Sequence, residues 1–266
     1  MTAVGDAFEA AGVENRAALV GYVPAGFPSV DGAIEAALAM AQAGVDIMEI
    51  GLPYSDPLID GPVIQEAVHR ALVGGTRVSD VLRTVEVLAV SGVPTLIMTY
   101  WNPVEQHGVA AFARDLAAAG GSGLITPDLT PEEAGAWLTT AAEHDLDRVF
   151  LVAPSSSKQR IALVTSACGG FVYAASVMGI TGVRESVSNQ AAGLVHRTKE
   201  ATKLPVAVGL GVRDGRQAAE VARFADGVIV GTAFVQRLLD ADTPSAGLAS
   251  VEALAAELAD GVRDRR

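Results

Sequence analysis

The sequence predicts an α/β protein, a single (β/α)8 TIM barrel with short extra helices that spans residues 1–266. Eight short apolar segments alternate along the chain with stretches of helical periodicity. Most of these segments are nearly continuous in apolar residues, which is typical of parallel strands covered by helices. The length leaves roughly 33 residues for each strand–helix unit, as in known barrels of this class. No linker or low-complexity tract divides the chain, so one domain is expected.

The apolar segments predict strands at residues 18–23, 46–51, 94–100, 123–126, 148–152, 171–176, 205–209 and 227–231. The alternative architecture is an open, doubly wound sheet, which often carries the dinucleotide fingerprint GxGxxG. Gly209, Gly211 and Gly215 are spaced one position too wide for that fingerprint. The closed barrel is therefore the preferred fold.

Helix boundaries are marked by capping residues. Thr130 is predicted to cap a helix that begins at Pro131, because Glu133 completes a capping box. Asp214 is predicted to cap a second helix in the same way. A last helix, from about residue 245 to residue 263, is expected to pack against the outer ring of the barrel.

Composition excludes several classes of protein. The formal charge is −12, with 19 basic against 31 acidic residues, so unaided nucleic-acid binding is not expected. The apolar runs are strand-sized, so no membrane span is expected, and the first residues lack the pattern of a secretory signal. Cys168 is the only cysteine, so no internal disulfide can form, and the reducing cytoplasm is the expected compartment.

Glu49 lies near the end of the second predicted strand, where barrel active sites are found. Side chains alternate along a strand, so Glu49 shares one face with Ile47, and Met48 shares the other with Ile50. The surrounding helices favour the two hydrophobes, which directs Glu49 into the mouth of the barrel. A buried carboxylate needs a partner, a proton or a function, and no Lys or Arg stands within ten residues of it. The competing interpretation is a structural ion pair.

The segment after this strand, "GLPYSDPLIDGP", holds two further aspartates in a proline-rich loop. Asp60 precedes Gly61 and Pro62, a turn signal, so a turn role and a functional role both stay open. Asp56 before Pro57 is ambiguous in the same way. The prolines restrict the backbone and so lower the entropy cost of fixing a carboxylate in one place.

Glycine-rich turns follow three successive strands and predict a phosphate site. "GLGVRD" follows the seventh predicted strand, and "GTAF" follows the eighth and opens a helix. Gly211 and Gly231 would bring backbone N–H groups close to an anion, and Thr232 adds a hydroxyl. "MGITG", residues 178–182, follows the sixth strand. The competing interpretation is that each glycine only serves a turn.

Other chemistries are not supported. The three lysines, Lys158, Lys199 and Lys203, do not stand at the C-terminal ends of strands, so a Schiff-base aldolase is not expected. The four histidines are scattered without ligand spacing, so no metal site is predicted. Carboxylates and tyrosines remain, and they indicate proton transfer without a cofactor on a phosphorylated substrate.

The motif "MEIGLPYSDPLIDGPVIQ" resembles the hallmark segment of the tryptophan synthase α subunit family. "YVPAGFPS", "IMTYWNPV", "GLITPDLTPEE", "YAASVMGITGVR", "VAVGLGVR" and "VIVGTAF" follow in the family's order. The resemblance implies a (β/α)8 barrel that cleaves indole-3-glycerol phosphate to indole and glyceraldehyde 3-phosphate. It also implies an α2β2 heterotetramer with a β subunit. No cofactor is then expected in this chain, because pyridoxal phosphate belongs to the β partner.

The resemblance also implies roles for individual residues. Glu49 matches the catalytic glutamate and Asp60 the catalytic aspartate. Residues matching the substrate pocket are Tyr22, Ile64, Tyr100, Tyr173, Leu210 and the loop threonine Thr181. Residues matching the phosphate-binding turns are Gly182, Gly211, Gly231 and Thr232. Residues matching the β-subunit contact surface are Pro53, Asp56, Pro57, Asn102 and Asp128.

The chain departs from the family pattern at four positions, which are Tyr22, Phe27, Leu210 and Thr232. Three of them alter packing or add a hydroxyl and remove no catalytic group, whereas Phe27 has no explanation in the sequence. Three alternative functions remain open. They are a stand-alone indole-releasing lyase, another cofactor-free phosphate-binding barrel enzyme, and a non-catalytic activator of a β subunit.

Overall fold

The computed structural model describes residues 2–176 and 184–264. Within them, parallel strands form one sheet in the order β5-β4-β3-β2-β1-β9-β8-β7-β6. The strands are β1 Ala18–Pro24, β2 Ile47–Gly51, β3 Thr95–Met98, β4 Gly123–Ile125, β5 Asp147–Val149, β6 Leu151–Val152, β7 Val172–Ala175, β8 Val206–Gly209 and β9 Gly227–Val230.

The sheet closes into a barrel through its fifth predicted strand. That strand, predicted at 148–152, is divided at Phe150 into β5, which pairs with β4, and β6, which pairs with β7. Because only one residue separates β5 from β6, the two ends of the sheet are parts of one chain segment. The carbonyl of Phe150 accepts from the amide of Tyr173 at 3.2 Å across the closure. The predicted (β/α)8 barrel is confirmed.

Helices surround the barrel and connect its strands. They are α1 Ala3–Val13, α2 Val30–Gln42, α3 Pro62–Val73, α4 Val78–Ser91, α5 Trp101–His107, α6 Val109–Ala118, α7 Gly135–Glu143, α8 Lys158–Ala167, α9 Arg184–Lys199, α10 Gly215–Ala222, α11 Thr232–Leu239 and α12 Pro244–Arg263. The predicted last helix is confirmed as α12. The predicted cap Asp214 is also confirmed, because its side chain accepts from the amide of Gln217.

The predicted start of the helix at Pro131 is wrong, because α7 begins at Gly135. The amide of Glu133 bonds to the carbonyl of Thr130 at 3.0 Å, which closes a turn between residues three apart. The first bond of helical spacing comes later, from Leu138 to the carbonyl of Ala134 at 2.8 Å. Thr130 and Glu133 therefore close a turn that precedes the helix.

The core has two layers, one inside the barrel and one between the strands and the helices. The inner layer includes Val20, Ile47, Ile125 and Ala207 from the strands. Helix α1 contributes Phe8, which packs at 5.3 Å between ring centroids on Phe171. Because α1 covers the N-terminal ends of the strands, the opposite end of the barrel is left for a site.

None of the described helices is long and apolar enough to cross a membrane. Cys168 is buried at the end of α8, and this burial raises the pKa of its thiol to about 11. A buried neutral thiol behaves as a small hydrophobe.

Candidate active site

Glu49 points into the barrel, as strand alternation predicts. It is 1% exposed, and its neighbour in alternation, Ile47, belongs to the inner core layer. Met48 and Ile50 belong to the outer layer, against the helices. Oε1 of Glu49 is buried and has no hydrogen-bond partner among the described residues. Burial raises the pKa of Glu49 to about 8, so the carboxyl is mainly protonated at neutral pH.

Tyr22 lies beside Glu49, because the two residues are partners in the β1–β2 ladder. Its ring lies across the mouth between two glycines that end neighbouring strands. A Cβ added at Gly51 would lie 2.3 Å from the Tyr22 hydroxyl, and one at Gly231 would lie 3.1 Å from the ring. The missing side chains at these two positions therefore make the room that Tyr22 occupies.

Tyr173 is placed on β7 in the same manner. Its hydroxyl lies over Gly209, where an added Cβ would approach it to 2.5 Å. Burial is the main cause that raises the pKa of both Tyr22 and Tyr173, and the charges of Glu49 and Asp60 raise it further. Both phenols are therefore neutral hydrogen-bonding groups close to the two carboxylates.

Asp60 lies half-buried at the end of the loop between β2 and α3. Burial raises the pKa of its carboxyl, and a hydrogen bond from Tyr100 partly opposes the rise. The Tyr100 hydroxyl also accepts from the amide of Ile59 at 3.1 Å. Tyr54 packs on the Tyr100 ring with centroids 5.4 Å apart. Tyr100 thus holds the loop segment that carries Asp60.

A small apolar cluster lies at this end of the barrel. Ile64 packs there, next to Tyr22 and the fully buried Ala67 and Val235. Phe27, which the sequence left unexplained, belongs to the same cluster and is 2% exposed. Its role in the structure is therefore packing.

The turns predicted to bind phosphate lie at the ends of β8 and β9. Gly211 has φ +67°, a conformation that favours glycine. Gly231 caps α11 and Thr232 is its first residue, and among the described residues no side-chain cap hydrogen bond is made there. Amides at such a helix N-terminus can bind an anion. Thr181 and Gly182 lie outside the described residues.

Leu210 is buried, at 7% exposure, and packs with the layer between the strands and the helices. Its predicted contact with a substrate stays a prediction.

The residues predicted to contact a β subunit lie at the same end of the barrel, on loops and, for Asn102, in the first turn of α5. Pro53 is buried and Pro57 half-buried, whereas Asp56, Asn102 and Asp128 are exposed. Asp128 also has a local role, because its carboxylate accepts from the amide of Trp101 at 2.9 and 3.1 Å.

Sequence analysis missed the glycines Gly51 and Gly209, which make room for the tyrosines. The signal was available, since Gly51 has the same strand parity as Glu49 and therefore faces the interior. Met98 was also missed; it packs against both the inner core layer and the small apolar cluster around Tyr22 and Phe27. Met98 is the last residue of β3, whereas the sequence predicted that this strand ends two residues later.

Metal and Schiff-base chemistry find no site in the described part of the chain. No group of three His, Cys, Asp or Glu side chains there could hold a metal ion. Lys199 ends α9 and Lys203 precedes β8, at the end of the barrel opposite Glu49, whereas Lys158 begins α8 after β6, at the same end as Glu49, and is exposed.

Comparison with known proteins gives one family. The sequence model described as tryptophan synthase alpha chain matches residues 8–263. The tryptophan synthase alpha chain of Salinispora arenicola is 58% identical over 263 residues, with 99% of this chain and 98% of that protein covered. That of Acidothermus cellulolyticus is 59% identical over 265 residues, with the same coverage.

Solved structures agree with the sequence relatives. The crystal structure of tryptophan synthase from M. tuberculosis in its aminoacrylate-bound form includes a chain 50% identical to this one, with a TM-score of 0.90. The match covers 98% of this chain and 100% of that chain. The alpha subunit from Legionella pneumophila is 30% identical, with a TM-score of 0.89 and 98% of each chain covered. This chain therefore belongs to the tryptophan synthase alpha chain family, lyase-type enzymes that catalyse the α reaction of tryptophan biosynthesis.

Proposed function

We propose that this chain cleaves indole-3-glycerol phosphate to indole and glyceraldehyde 3-phosphate, with Glu49 as acid and base and Asp60 as electrostatic stabiliser. The observation that carries the proposal is the state of Glu49. It is buried, its Oε1 has no partner among the described residues, and its pKa is about 8. A carboxyl that is protonated at neutral pH and can still lose its proton suits general acid–base work.

In the proposed reaction, Glu49 donates one proton and later accepts another, so that it ends in its starting state. Protonated Glu49 donates to indole C3, which leaves a cationic indolenine. The Glu49 carboxylate then takes the proton of the glycerol hydroxyl as the C–C bond breaks. The bonding electrons return to the indole ring, the hydroxyl carbon becomes an aldehyde, and Glu49 is protonated again.

Asp60 acts on the positive charge that develops during this sequence. Its ionised carboxylate accepts a hydrogen bond from the indolenine N–H, which is strongest in the charged intermediate. The loop position of Asp60, held through Tyr100, allows it to move against the substrate, whereas Glu49 is fixed on β2. The neutral phenols of Tyr22 and Tyr173 line the pocket that holds the indole and the glycerol chain.

The phosphate of the substrate is proposed to bind at Gly211, Gly231 and Thr232, together with Gly182. The uncapped first turn of α11 supports this, because its amides point toward an anion and the helix dipole favours negative charge. This site would anchor the substrate with its reacting carbon toward Glu49.

A β subunit is the partner expected for a member of this family, and we propose an α2β2 assembly in the cytoplasm. The docking surface is proposed at Pro53, Asp56, Pro57, Asn102 and Asp128. Two apolar side chains on the same loop, Leu58 at 75% and Ile59 at 55% exposure, support this choice. Pyridoxal phosphate is assigned to the β partner, so the lyase step needs no added cofactor.

Indole release from indole-3-glycerol phosphate, measured with the β subunit present, tests the proposal. Glu49→Gln is expected to lower kcat by roughly 10²- to 10⁴-fold, because an amide cannot transfer the proton. Asp60→Asn is expected to lose most activity with the fold intact. The exposed Glu86→Gln on α4 is the control and should retain wild-type turnover. Full turnover by Glu49→Gln would refute the assignment.

The pH profile gives a second readout of the same mechanism. Raising the pH through about 8 ionises Glu49 and removes the acid, so kcat/KM should fall there. Lowering the pH protonates Asp60, whose pKa lies above 3.8, so kcat/KM should also fall on the acid side. A chain that releases no indole at any pH, yet stimulates its β partner, would be a non-catalytic activator instead.

A further inference from the structure

A cleft with a volume of about 800 Å³ opens at the N-terminal end of the barrel, opposite Glu49. It lies between α1 and the turns that lead into β5, β7, β8 and β9. Its apolar wall includes Phe8, Leu204 and Pro205. Nothing in the proposed lyase reaction uses this end of the molecule.

The cleft is lined by four basic residues and by three acidic ones, Glu9, Asp147 and Asp226. Its basic lining residues are Arg16, Arg148, Lys199 and Lys203. Two of them already have acidic partners. Arg16 donates two hydrogen bonds, of 2.6 and 2.8 Å, to Asp46, and Lys199 donates one of 2.8 Å to Asp226. Arg148 and Lys203 remain available to a ligand.

Asp147, at the start of β5, is the buried acid of the cleft. The residue is 3% exposed, and its Oδ2 has no hydrogen-bond partner among the described residues. Burial raises its pKa, and a hydrogen bond between the carboxyl and the Thr2 side chain, together with the charge of Arg148, partly opposes the rise. Arg148 likewise has a buried Nε without a partner in the described part of the chain. An acceptor and a donor are thus left unsatisfied in one cleft, which is costly unless a ligand meets both.

Two glycines pack closely against these groups in the wall of the cleft. A Cβ at Gly169 would lie 3.1 Å from Asp147 Oδ1 and 3.3 Å from Arg148 Nη2, so both side chains line the same wall. A Cβ at Gly170, which has φ +72°, would lie 2.9 Å from Asp147 Oδ2. A side chain at Gly170 would therefore crowd the unpaired Oδ2 of Asp147, and one at Gly169 would crowd the Oδ1 of Asp147 and the Nη2 of Arg148.

We propose that this cleft binds a small zwitterion of the α-amino-acid class with an apolar side chain. Its ammonium group donates to Asp147, and its carboxylate accepts from Arg148 and Lys203. Its side chain packs on Phe8 and Leu204. A simple anion fits less well, because the buried Asp147 would repel it, and a simple cation leaves Arg148 without an acceptor.

Calorimetric titration of the purified chain tests this with three probes: L-phenylalanine, N-acetyl-L-phenylalanine, which lacks the ammonium, and L-phenylalaninamide, which lacks the carboxylate. L-Phenylalanine should bind on the order of tenfold more tightly than either derivative, because each derivative loses one charge pair. Asp147→Asn should weaken L-phenylalanine binding by a similar factor. The matched control Asp145→Asn changes an exposed aspartate nearby and should bind like wild type.

Lys203→Gln is the second variant, and its exposed position leaves folding unaffected. It should weaken L-phenylalanine binding and leave binding of the amide unchanged, since the amide has no carboxylate to pair. The proposal is overturned if L-phenylalanine gives no binding at millimolar concentration or if the three probes bind equally. It is also overturned if a folded Asp147→Asn binds L-phenylalanine as wild type does, which would place the amino acid elsewhere.

Discussion

Glu49 is surrounded by neutral neighbours and has no cationic partner among the described residues. Ile47 lies below it on the strand, Tyr22 lies beside it, and Gly51 follows it at the rim. Desolvation by these neighbours is the cause of its raised pKa. The same desolvation that prepares the residue for proton transfer therefore costs stability once the carboxyl is ionised.

The stability of the chain should depend on pH through this residue. Glu49 has a pKa of about 8 in the folded chain, whereas an ordinary glutamate has 4.5, so the folded state holds the extra proton between these pH values. Stability therefore falls as pH rises from about 4.5 to about 8. Glu49→Gln removes this dependence, so its stability advantage over wild type should grow to a few kcal/mol by pH 8.

Urea unfolding at pH 5 and pH 8 measures this difference. The exposed Glu86→Gln serves as the control for loss of one carboxylate. A stability difference between Glu49→Gln and wild type that is the same at both pH values would contradict the raised pKa.

Gly51 should be required for the position of Tyr22. In Gly51→Ala the new methyl would lie 2.3 Å from the Tyr22 hydroxyl, and Gly231 behind the ring leaves it little room to retreat. We expect kcat/KM to fall on the order of tenfold, because the pocket wall moves. Gly135→Ala, where no neighbouring atom lies within 4 Å, is the control. Wild-type kinetics in Gly51→Ala would show that catalysis does not depend on the position of the Tyr22 ring.

At the scale of single elements, α1 stabilises one end of the barrel, whereas the β2–α3 loop contributes to the site at the other end. Helix α1 buries Val4, Phe8 and Ala11 and closes the N-terminal end of the barrel. The β2–α3 loop leaves Leu58 and Ile59 exposed and carries Asp60. One end of the barrel is therefore packed for stability, and the other is open for chemistry.

Truncation of Phe8 should measure what α1 contributes. Phe8→Ala removes a ring that is 6% exposed and packs on Phe171, so it should cost about 3 to 5 kcal/mol of unfolding free energy. Val13→Ala, at a position 82% exposed on the same helix, should cost about 0.5 kcal/mol or less. Urea denaturation compares the two, and equal costs would mean that α1 is not docked through Phe8.

At the scale of the whole molecule, an acidic chain of net charge −12 presents one loop with two adjacent exposed hydrophobes. The double change Leu58→Ser and Ile59→Ser should weaken binding of the cognate β subunit by about tenfold or more, because apolar anchors dominate interfaces. Val90→Ser alters a side chain that is even more exposed, at 87%, near the N-terminal end of the barrel, and should bind normally. Calorimetry measures the affinity for the β subunit, and a mass measurement gives the size of the assembly. Unchanged affinity in the double variant would show that the interface lies elsewhere.

The sequence by itself determined the barrel, the direction of Glu49 and the order of the glycine turns. Strand parity and apolar continuity can be seen in the local sequence. They predict side-chain directions because every strand of the barrel packs against helices on one side. Asp214 was predicted for the same reason, since a cap is completed within four residues. The sequence also determined that carboxylates and tyrosines, and no lysine, would stand at the strand ends.

Only the tertiary structure decided what surrounds those residues. The room for Tyr22 depends on Gly51 and Gly231, which come from different strands, and the support of the Asp60 loop depends on Tyr100, 40 positions away in the chain. Thr130 closes a turn with Glu133, and α7 begins only at Gly135. The sequence could not show that Asp147 Oδ2 and Arg148 Nε are buried without a partner among the described residues. Burial and hydrogen-bond satisfaction are set by segments distant in sequence, which meet only when the barrel closes.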